Sequence, residues 1–533
     1  MSLPNPLTNE HPDTHGIPPD VYHRRHAILA VLCGSLILIV VAVSSLNTAI
    51  PTIQRGLNAS STELQWIIDS YALVFAGFLL PAGAIGDRFG RKGALLTGLV
   101  IFGTCAFIAS RADSAATLIG ARAVMGIGAA LVMPATLSII QNSFPPHERA
   151  KAVATWAGLA GAGGAIGPLL SGLMLKWFGW SSVFLINIPL VLLLIVLVGS
   201  IVPTSRDPEG HPLDPIGAFV SVLALGSLVF GIIEGPEWGW GSIGVVVAFA
   251  SAIIFGIGFV VWETHTEFPT LDPRLFRLRG FGMGSLSIST IFFCMFGMFF
   301  LATQYLQYVK GYSPLEAGVR TLPSAAVLVA LSPRSPLIVG RFGVRPTTRV
   351  GFVFVVSGFV IMSTLGVDTS YWIFMIGLMV LAAGMALIMP PSTSSIIGSL
   401  PLAKAGVGSA VNDVTREVGG AIGIAVMGSV LNSVYRSSID LSGVKALVPA
   451  PFRASFAGAA DAAGQSIGQA MGVAGSMQGR SAEGAAGITA ASRDAFVHGT
   501  SIAFLVAAGV ALCGGAVVSS RIPNELAEGQ ANG

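Results

Sequence analysis

Gly128–Pro145, GAALVMPATLSIIQNSFP, recurs 256 residues later as Gly384–Pro401, GMALIMPPSTSSIIGSLP, with nine of eighteen positions identical. At the same offset, Gly163–Gly167 and Gly419–Gly423 are both GGAIG. Towards the N-terminus the offset becomes 253. There Asp87–Lys92 (DRFGRK) corresponds to Gly340–Arg345 (GRFGVR), and Ser60 and Glu63 correspond to Ser313 and Glu316. Each Ser-x-x-Glu pair has the spacing of a capping box, in which the Ser hydroxyl and the Glu carboxylate satisfy the first free amides of a helix. Matches at two nearly equal offsets mean that one helical unit occurs twice in the chain.

Composition sets what surrounds that unit. Charged residues make up 10% of the 533 residues, against roughly 25% in soluble globular domains, so an ordinary soluble enzyme is excluded. The 53% apolar content suffices for about fourteen membrane helices of roughly 20 residues each. The net charge of +3 is spread along the chain, which argues against a nucleic-acid partner. Cys33, Cys105, Cys294 and Cys513 are isolated within apolar segments and are expected to serve in packing, since neither a zinc site nor a disulfide framework has such spacing. The histidines lack metal spacing and no phosphate-binding glycine loop occurs. No metal or cofactor is expected, and work done by the chain would draw on an ion gradient.

Apolar stretches place spans near 27–48, 64–86, 93–110, 115–140, 152–175 and 182–202, then 214–234 and 242–262, then 281–307, 314–340, 347–367, 371–398, 405–431 and 497–519. The expected fold is all-α: two six-helix bundles with two inserted helices, fourteen spans in total. Residues 1–26 form an N-terminal tail, 27–202 the first bundle, 203–280 the inserted pair with its linkers, 281–519 the second bundle, and 520–533 a C-terminal tail. With the N-terminus inside, 17 basic residues fall on the cytoplasmic side and 10 outside, five of the latter in the segment 436–496. Lys and Arg collect in short cytoplasmic loops, so both termini are expected in the cytoplasm. Segment 436–496 reads either as a flexible external connection or as one holding an amphipathic helix or hairpin.

Several motifs resemble the major facilitator superfamily, specifically its fourteen-helix drug:proton antiporter branch. Gly83-x-Ile85-Gly86-Asp87-Arg88-x-Gly90-Arg91-Lys92 looks like the signature between helices 2 and 3. Arg122-x-x-Met125-Gly126-x-Gly128 resembles the helix 4 motif, and Gly163-x-x-x-Gly167-Pro168-x-x-Ser171-Gly172 the helix 5 motif associated with antiporters. Trp66–Tyr71, Phe184–Pro189 and Gly311–Gly318 carry the branch-level likeness. Many relatives have an Asp in helix 1 where this chain has Ala42, so proton coupling must rest on other acids.

Residues not shared by the two repeats are the functional candidates: Asp69 matches Leu322, Asp87 matches Gly340, Arg122 matches Leu378 and Pro168 matches Ile424. A charge at bilayer depth is costly and faces a cavity or a partner. Asp69, roughly 8 Å into helix 2, and Asp413, Arg416 and Glu417 near the middle of helix 13 are candidates for proton coupling. The alternative for the helix 13 group is a neutralised structural cluster. Arg122 either biases a carboxylate towards its charged form, as the resemblance implies, or donates to neighbouring carbonyls. Asp87, with Gly83, Arg88, Gly90 and Arg91, is the candidate gate, placed to meet the positive N-terminal end of helix 13. Gly163, Gly167, Pro168 and Gly172 allow close helix approach and a kink, and the resemblance assigns them to sealing the two halves. Trp66, Tyr71, Phe75, Phe296, Phe300, Gln304, Tyr305 and Asn412 are candidates for a substrate cavity, where aromatic faces and a carboxylate suit lipophilic cations.

The resulting expectation is a monomeric, multi-pass protein of a bacterial cytoplasmic membrane, not an enzyme, that exports hydrophobic or cationic small molecules in exchange for protons by alternating access. An exporter of an endogenous lipid or secondary metabolite is the alternative, and a non-transporting receptor or assembly partner is a third reading. The abundance of Arg over Lys, with much Ala and Gly, points to a GC-rich bacterial genome.

Overall fold

The computed structural model describes residues 17–57, 59, 61–205, 214–401, 404–444, 458, 460–464, 466–479 and 481–524. Among them the regular structure is helical, with no strand. Fourteen principal helices are numbered in chain order. The first six are α1 (Pro19–Leu57), α2 (Ser61–Phe89), α3 (Arg91–Ser110), α4 (Ala115–Ser143), α5 (Pro146–Trp177) and α6 (Asn187–Ile201). An inserted pair follows, α7 (Pro215–Trp238) and α8 (Ile243–His265). The last six are α9 (Arg279–Gln304), α10 (Pro314–Leu331), α11 (Val344–Ser363), α12 (Tyr371–Gly398), α13 (Ala405–Ser438) and α14 (Ala482–Arg521).

Local chemistry sets the helix ends. Ser313 caps α10 by accepting from Glu316 N at 3.3 Å while Glu316 Oε2 accepts from Ser313 N at 2.8 Å, the expected capping box; its counterpart Ser60 lies outside the described residues. Asp214 caps α7 through Gly217 N. The α2–α3 and α10–α11 turns both depend on glycine, with Gly90 at φ 116° and Gly343 at φ 86°, where a side chain would clash with its own backbone. Pro134 and its repeat mate Pro390 sit inside α4 and α12, as is tolerated where neighbouring helices compensate for the freed carbonyl.

Thirteen helices among the described residues are long and apolar enough to cross a membrane. The remaining expected span, 152–175, lies within α5, whose 32 residues reach about 48 Å at 1.5 Å per residue. The packing repeats with the sequence. α1 packs on α5 as α9 does on α13, α2 on α4 as α10 on α12, α3 on α4 as α11 on α12, and α3 on α6 as α11 on α14. Two seams join the halves and obey the same relation: α2 against α13, and α10 against α5. The inserted α7 and α8 pack on each other, and α7 also packs on α2 and α13. Ile253, Ile254 and Ile257 leave α8 with 62%, 66% and 61% of their surface open, the face of a helix that meets lipid.

The segment 436–496 differs from its reading as a long connection. α13 continues to Ser438 and α14 begins at Ala482, with a helix, Ile467–Met477, between them. Hydropathy misses the start of α14 because it is built largely of Ala and Gly, with Glu483, Arg493 and Asp494 among them and Ala485, Ile488, Ser492 and Phe496 on its buried face. Val444, Ala463, Ala470, Ala474, Ala485 and Ile488 form a small separate core there, tied to the bundle by the Tyr435 hydroxyl donating to Ala463 O and by Arg493 Nε donating to Tyr308 O, both at 2.9 Å. Lys445, Arg453 and Arg480 lie outside the described residues.

Candidate functional site

Part of the candidate set meets at the α2–α13 seam. At its lower end Asp87, in the last turn of α2, is only 6% exposed. Its carboxylate accepts from the backbone amides of Gly406 (3.0 Å) and Val407 (3.1 Å), in the first turn of α13. Arg91 approaches Asp87 Oδ1 at 2.8 Å through Nε and 2.7 Å through Nη2, and is itself 2% exposed. The contact requires small residues. A methyl group built on Gly83 would lie 2.7 Å from Gly406 O and 2.9 Å from the Ala410 methyl. Gly90 makes the turn, and Arg91 N then donates to Ser205 O. Arg88 is half-buried, its guanidinium 5.5 Å from the centre of the Phe89 ring. An anion with two helix-N-terminal amides and a guanidinium is a charge-assisted arrangement. It joins the two halves of the molecule at one end only.

Further along α13 the second candidate group is buried. Asp413 is 1% exposed; its Oδ1 accepts from Arg416 Nη1 at 3.2 Å and Asn412 Nδ2 at 3.4 Å, while Oδ2 has no hydrogen-bond partner. Asn412 Oδ1 in turn accepts from Thr393 on α12. Glu417 is half-buried one turn on from Asp413. The Arg416 guanidinium lies between two rings, 5.3 Å from that of Trp156 on α5 and 4.5 Å from that of Phe292 on α9, within cation–π range of both. Trp156 and Phe292 escaped the sequence reading. The repeat offers a signal for the first, because Trp156 is the register mate of Asn412 at an offset of 256. Each bonds to a threonine of α4 or α12 in its own half: Trp156 Nε1 donates to the Thr136 hydroxyl, and Asn412 Oδ1 accepts from the Thr393 hydroxyl.

On α2, Asp69 is half-buried. It precedes Asp87 by 18 residues, about five helical turns along α2. Arg122 on α4, 1% exposed, donates from Nε to Ile67 O at 3.0 Å and lies 4.3 Å over the Tyr71 ring. It forms no ion pair among the described residues, and Nη1 has no partner, so the expected carboxylate is not in contact with it. The carbonyl of α2 is closer because Gly126 lets the two helices touch, a methyl there lying 2.7 Å from Tyr71 O.

The eight residues expected to line a cavity separate into groups. Phe296 and Phe300 face α13, against Gly420 and Gly428, in line with Phe292. Asn412 is wholly buried beside Asp413, and Gln304 is half-buried, donating to Phe300 O of its own helix. Tyr71 and Phe75 stack on each other, 5.8 Å apart and 3% exposed, under Arg122. Two are placed away from any cavity between the halves. Trp66 packs on Phe230 of the inserted α7 at 5.9 Å. Tyr305 stacks on Phe374 and donates to Gly366 O, inside the second bundle. Indole and phenol rings have apolar faces that suit either location, and helix packing selected these.

The helix 5 motif divides between two neighbours. Gly163 and Gly167 face α1 of the same half: a methyl on Gly163 would lie 3.0 Å from a Val40 methyl, and one on Gly167 2.8 Å from Ser45 N. Pro168 and Gly172 face Gly318 and Leu315 of α10, in the other half. α5 remains helical through Pro168.

The profile of the Major Facilitator Superfamily matches residues 32–424. The multidrug efflux pump LfrA of Mycolicibacterium smegmatis is 34% identical over 419 residues, covering 78% of this chain and 83% of that protein. The tetracenomycin C resistance and export protein of Streptomyces glaucescens is 32% identical over 518 residues, covering 95% and 94%. The methyl viologen resistance protein SmvA of Salmonella typhimurium is 34% identical over 434 residues, covering 79% and 86%. Among solved structures the human organic anion transporter MFSD10 superposes with a TM-score of 0.60 at 14% identity, over 94% of this chain and all of that one. That last likeness speaks to the fold alone.

Proposed function

The chain belongs to the major facilitator superfamily, a family of transporters rather than enzymes, and from that membership we propose that it exports hydrophobic, including cationic, small molecules across a bacterial plasma membrane in exchange for protons by alternating access. The names of its relatives, efflux pumps and resistance proteins among them, support the export of drugs. The basic residues support a cytoplasmic location for the Asp87 end and for both termini.

One observation carries the coupling. Among the described residues the buried acids within the principal helices lie on α2, α7, α8 and α13 alone: Asp87, Glu234, Glu263 and Asp413, with Asp69 and Glu417 half-buried on α2 and α13. All belong to one side of the bundle, around the α2–α13 seam. In this reading the Asp87 contact with α13 closes the cytoplasmic end, and Asp413 Oδ2, free of partners, accepts a proton from the outward side. Protonation would release Arg416 from Asp413, and α13, which carries both the pair and the helix end that Asp87 holds, would transmit the change. A lipophilic cation would rest against Phe296 and Phe300 with an unprotonated acid nearby, so that cation and proton compete for the same negative charge. Opening by one helix pair as the other closes is a population shift set by such differential binding.

The test is ethidium efflux from cells producing wild type, Asp69→Asn or Asp413→Asn, with and without collapse of the proton gradient. Gradient-dependent efflux lost in both variants is the expected result. Unchanged gradient-driven efflux in both would remove the coupling assignment, and no efflux by well-produced wild type would remove ethidium-like cations from its substrates. Similarity to a tetracenomycin C export protein along 95% of this chain favours, as a second reading, the export of a secondary metabolite; resistance to none of a panel of added drugs would select it.

A further inference from the structure

Between the inserted pair and the α2–α13 seam lies a cavity of about 340 Å³, at the lower end of the range for small-molecule pockets. Leu80 of α2, Leu225 of α7, Ala252 of α8 and Val411 of α13 form its walls, and Leu271 and Phe276, from the linker joining α8 to α9, complete the lining. The lining is almost wholly apolar. Its two hydroxyls are spent within their own helices, Ser221 on Ala218 O and Thr415 on Asn412 O, both at 2.8 Å. The occupant must therefore be a hydrocarbon that asks for no hydrogen bond, because an unmet polar group there would be costly. The cavity opens towards lipid where Ile253 and Phe276 are 62% and 45% exposed.

The mouth carries a charge pattern. The linker from Pro273 to Arg279 reads PRLFRLR, so that Arg274, Arg277 and Arg279 surround Phe276, and all three are exposed. None forms an ion pair among the described residues, and the one side-chain bond they make is from Arg274 Nη2 to Thr264 O at 3.4 Å. The acids nearest in sequence do not neutralise them. Asp272 is occupied in capping, accepting from Arg274 N at 2.9 Å, and Glu263 is turned inward, 2% exposed, with its carboxylate accepting from Leu271 N. Glu267 is exposed at the start of the linker. Three exposed guanidinium groups, without an ion pair among the described residues, thus flank Phe276 in the lining of a pocket that admits only hydrocarbon.

We infer that this pocket binds one acyl chain of an anionic phospholipid, with the phosphate of its headgroup on Arg274, Arg277 and Arg279. Guanidinium groups pair with phosphate through parallel N–H donors, and basic residues at this membrane face are drawn to anionic lipid. The lipid would fill the space between the inserted helices and the seam, so that α7 and α8 hold a lipid against α2 and α13. The inference rests on membrane embedding and not on the export reading, and either can fail without the other.

The test is native mass spectrometry of the full-length purified protein, delipidated and titrated with phosphatidylglycerol or with phosphatidylcholine of the same chains. Wild type is expected to retain phosphatidylglycerol in preference by roughly tenfold or more, and Arg277→Gln/Arg279→Gln to lose that preference. Ala252→Trp, which fills the pocket, is expected to weaken phosphatidylglycerol binding while the arginines remain. Ala224→Phe fills the same space from α7 and serves where the first variant does not fold. Equal retention of the two lipids by wild type, or an unchanged preference in the double arginine variant, would overturn the proposal. So would displacement of phosphatidylglycerol by glycerol phosphate alone, which would mark a headgroup site with no use for the pocket.

Discussion

The two seams between the halves are built on one pattern and filled with opposite chemistry. Asp69 and Asp87 on α2 have Leu322 and Gly340 as their mates on α10; Asp413, Arg416 and Glu417 on α13 have Ala157, Ala160 and Gly161 on α5. The α5–α10 seam is consequently smooth along its length. A methyl on Gly158 would lie 3.0 Å from Ser332, and one on Gly172 3.5 Å from Leu315. Close apolar packing of this kind depends on dispersion and resists separation only weakly at any one point. The α2–α13 seam is held by a few strong contacts whose strength depends on charge, and hence on the protonation of the acids that make them. Duplication supplied the scaffold twice, and the charges were placed on one copy of each helix.

The helix ends show the same division. α13 has no acid in its first turn, so its amides are met by Asp87 from the other half. α5 carries its own acid, Glu148, which pairs with Arg25 of α1 through Nε at 2.7 Å and Nη2 at 3.1 Å. A helix end served from within its own half can stay satisfied while the halves move apart. One served across the seam loses its partner wherever the halves part, so in the proposed export cycle the Asp87 contact is the point of control.

The comparison can be broken most severely at Arg416. Arg416→Gln leaves Asp413 buried without a countercharge, a loss of about 3–5 kcal/mol, and Asp413→Asn in the same chain should recover much of it, both read from thermal unfolding in detergent. Next in size is Asp87→Asn, which removes the charge from hydrogen bonds individually worth about 1.5–3 kcal/mol. A cysteine placed at Ala410 should then become reactive to a water-soluble thiol reagent, and unchanged protection would show that Asp87 does not hold the seam shut. The scaffold makes a different prediction: Gly90→Ala and Gly343→Ala should both destabilise, by about 1–2 kcal/mol for the strained backbone. Gly343→Ala should cost more of the two, because its methyl would meet Asn524 while that at Gly90 lies no closer than 3.8 Å to Ser205 O.

The smallest effect belongs to Glu148, which lies outside the membrane-spanning part of α5. The hydrogen bonds from Arg25 hold its carboxyl below the usual carboxylate range. A depressed folded value means that the pair's contribution is present above the ordinary carboxylate pKa and is lost as pH falls through the folded value. With its side chain 28% exposed, Glu148→Gln should cost about 1 kcal/mol or less at neutral pH and nothing in acid, by thermal unfolding across that range. A cost that persists in acid would assign Glu148 a packing role.

Much of this was legible in the residues. The repeat, the apolar content and the charge asymmetry specify two six-helix units with an inserted pair, and the position of Asp87 at the end of α2 is enough to aim it at the start of α13. Mismatches within the repeat also single out Asp69, Asp87 and the α13 charges, because a residue absent from one copy is not needed by the scaffold. Facing was not legible. Trp66 and Tyr305 read as cavity residues and are packed against Phe230 and Phe374. For Arg122 the sequence left two readings open, and the structure shows the second, donation to a carbonyl. The start of α14 was hidden because Ala and Gly carry little hydropathy even when buried.

What the sequence determined by itself is therefore everything that depends on order and spacing: the class, the duplication, the family motifs and the asymmetry of charge. The tertiary structure alone decided what each side chain touches: the rings of Trp156 and Phe292 around Arg416, the pocket beside three arginines, and the division of the helix 5 motif between α1 and α10. The physical reason lies in the solvent. In water an amphipathic pattern shows which face of a helix is buried, but lipid is as apolar as a protein core, so a membrane helix is apolar on both faces and only packing against its neighbours reveals which one is inside.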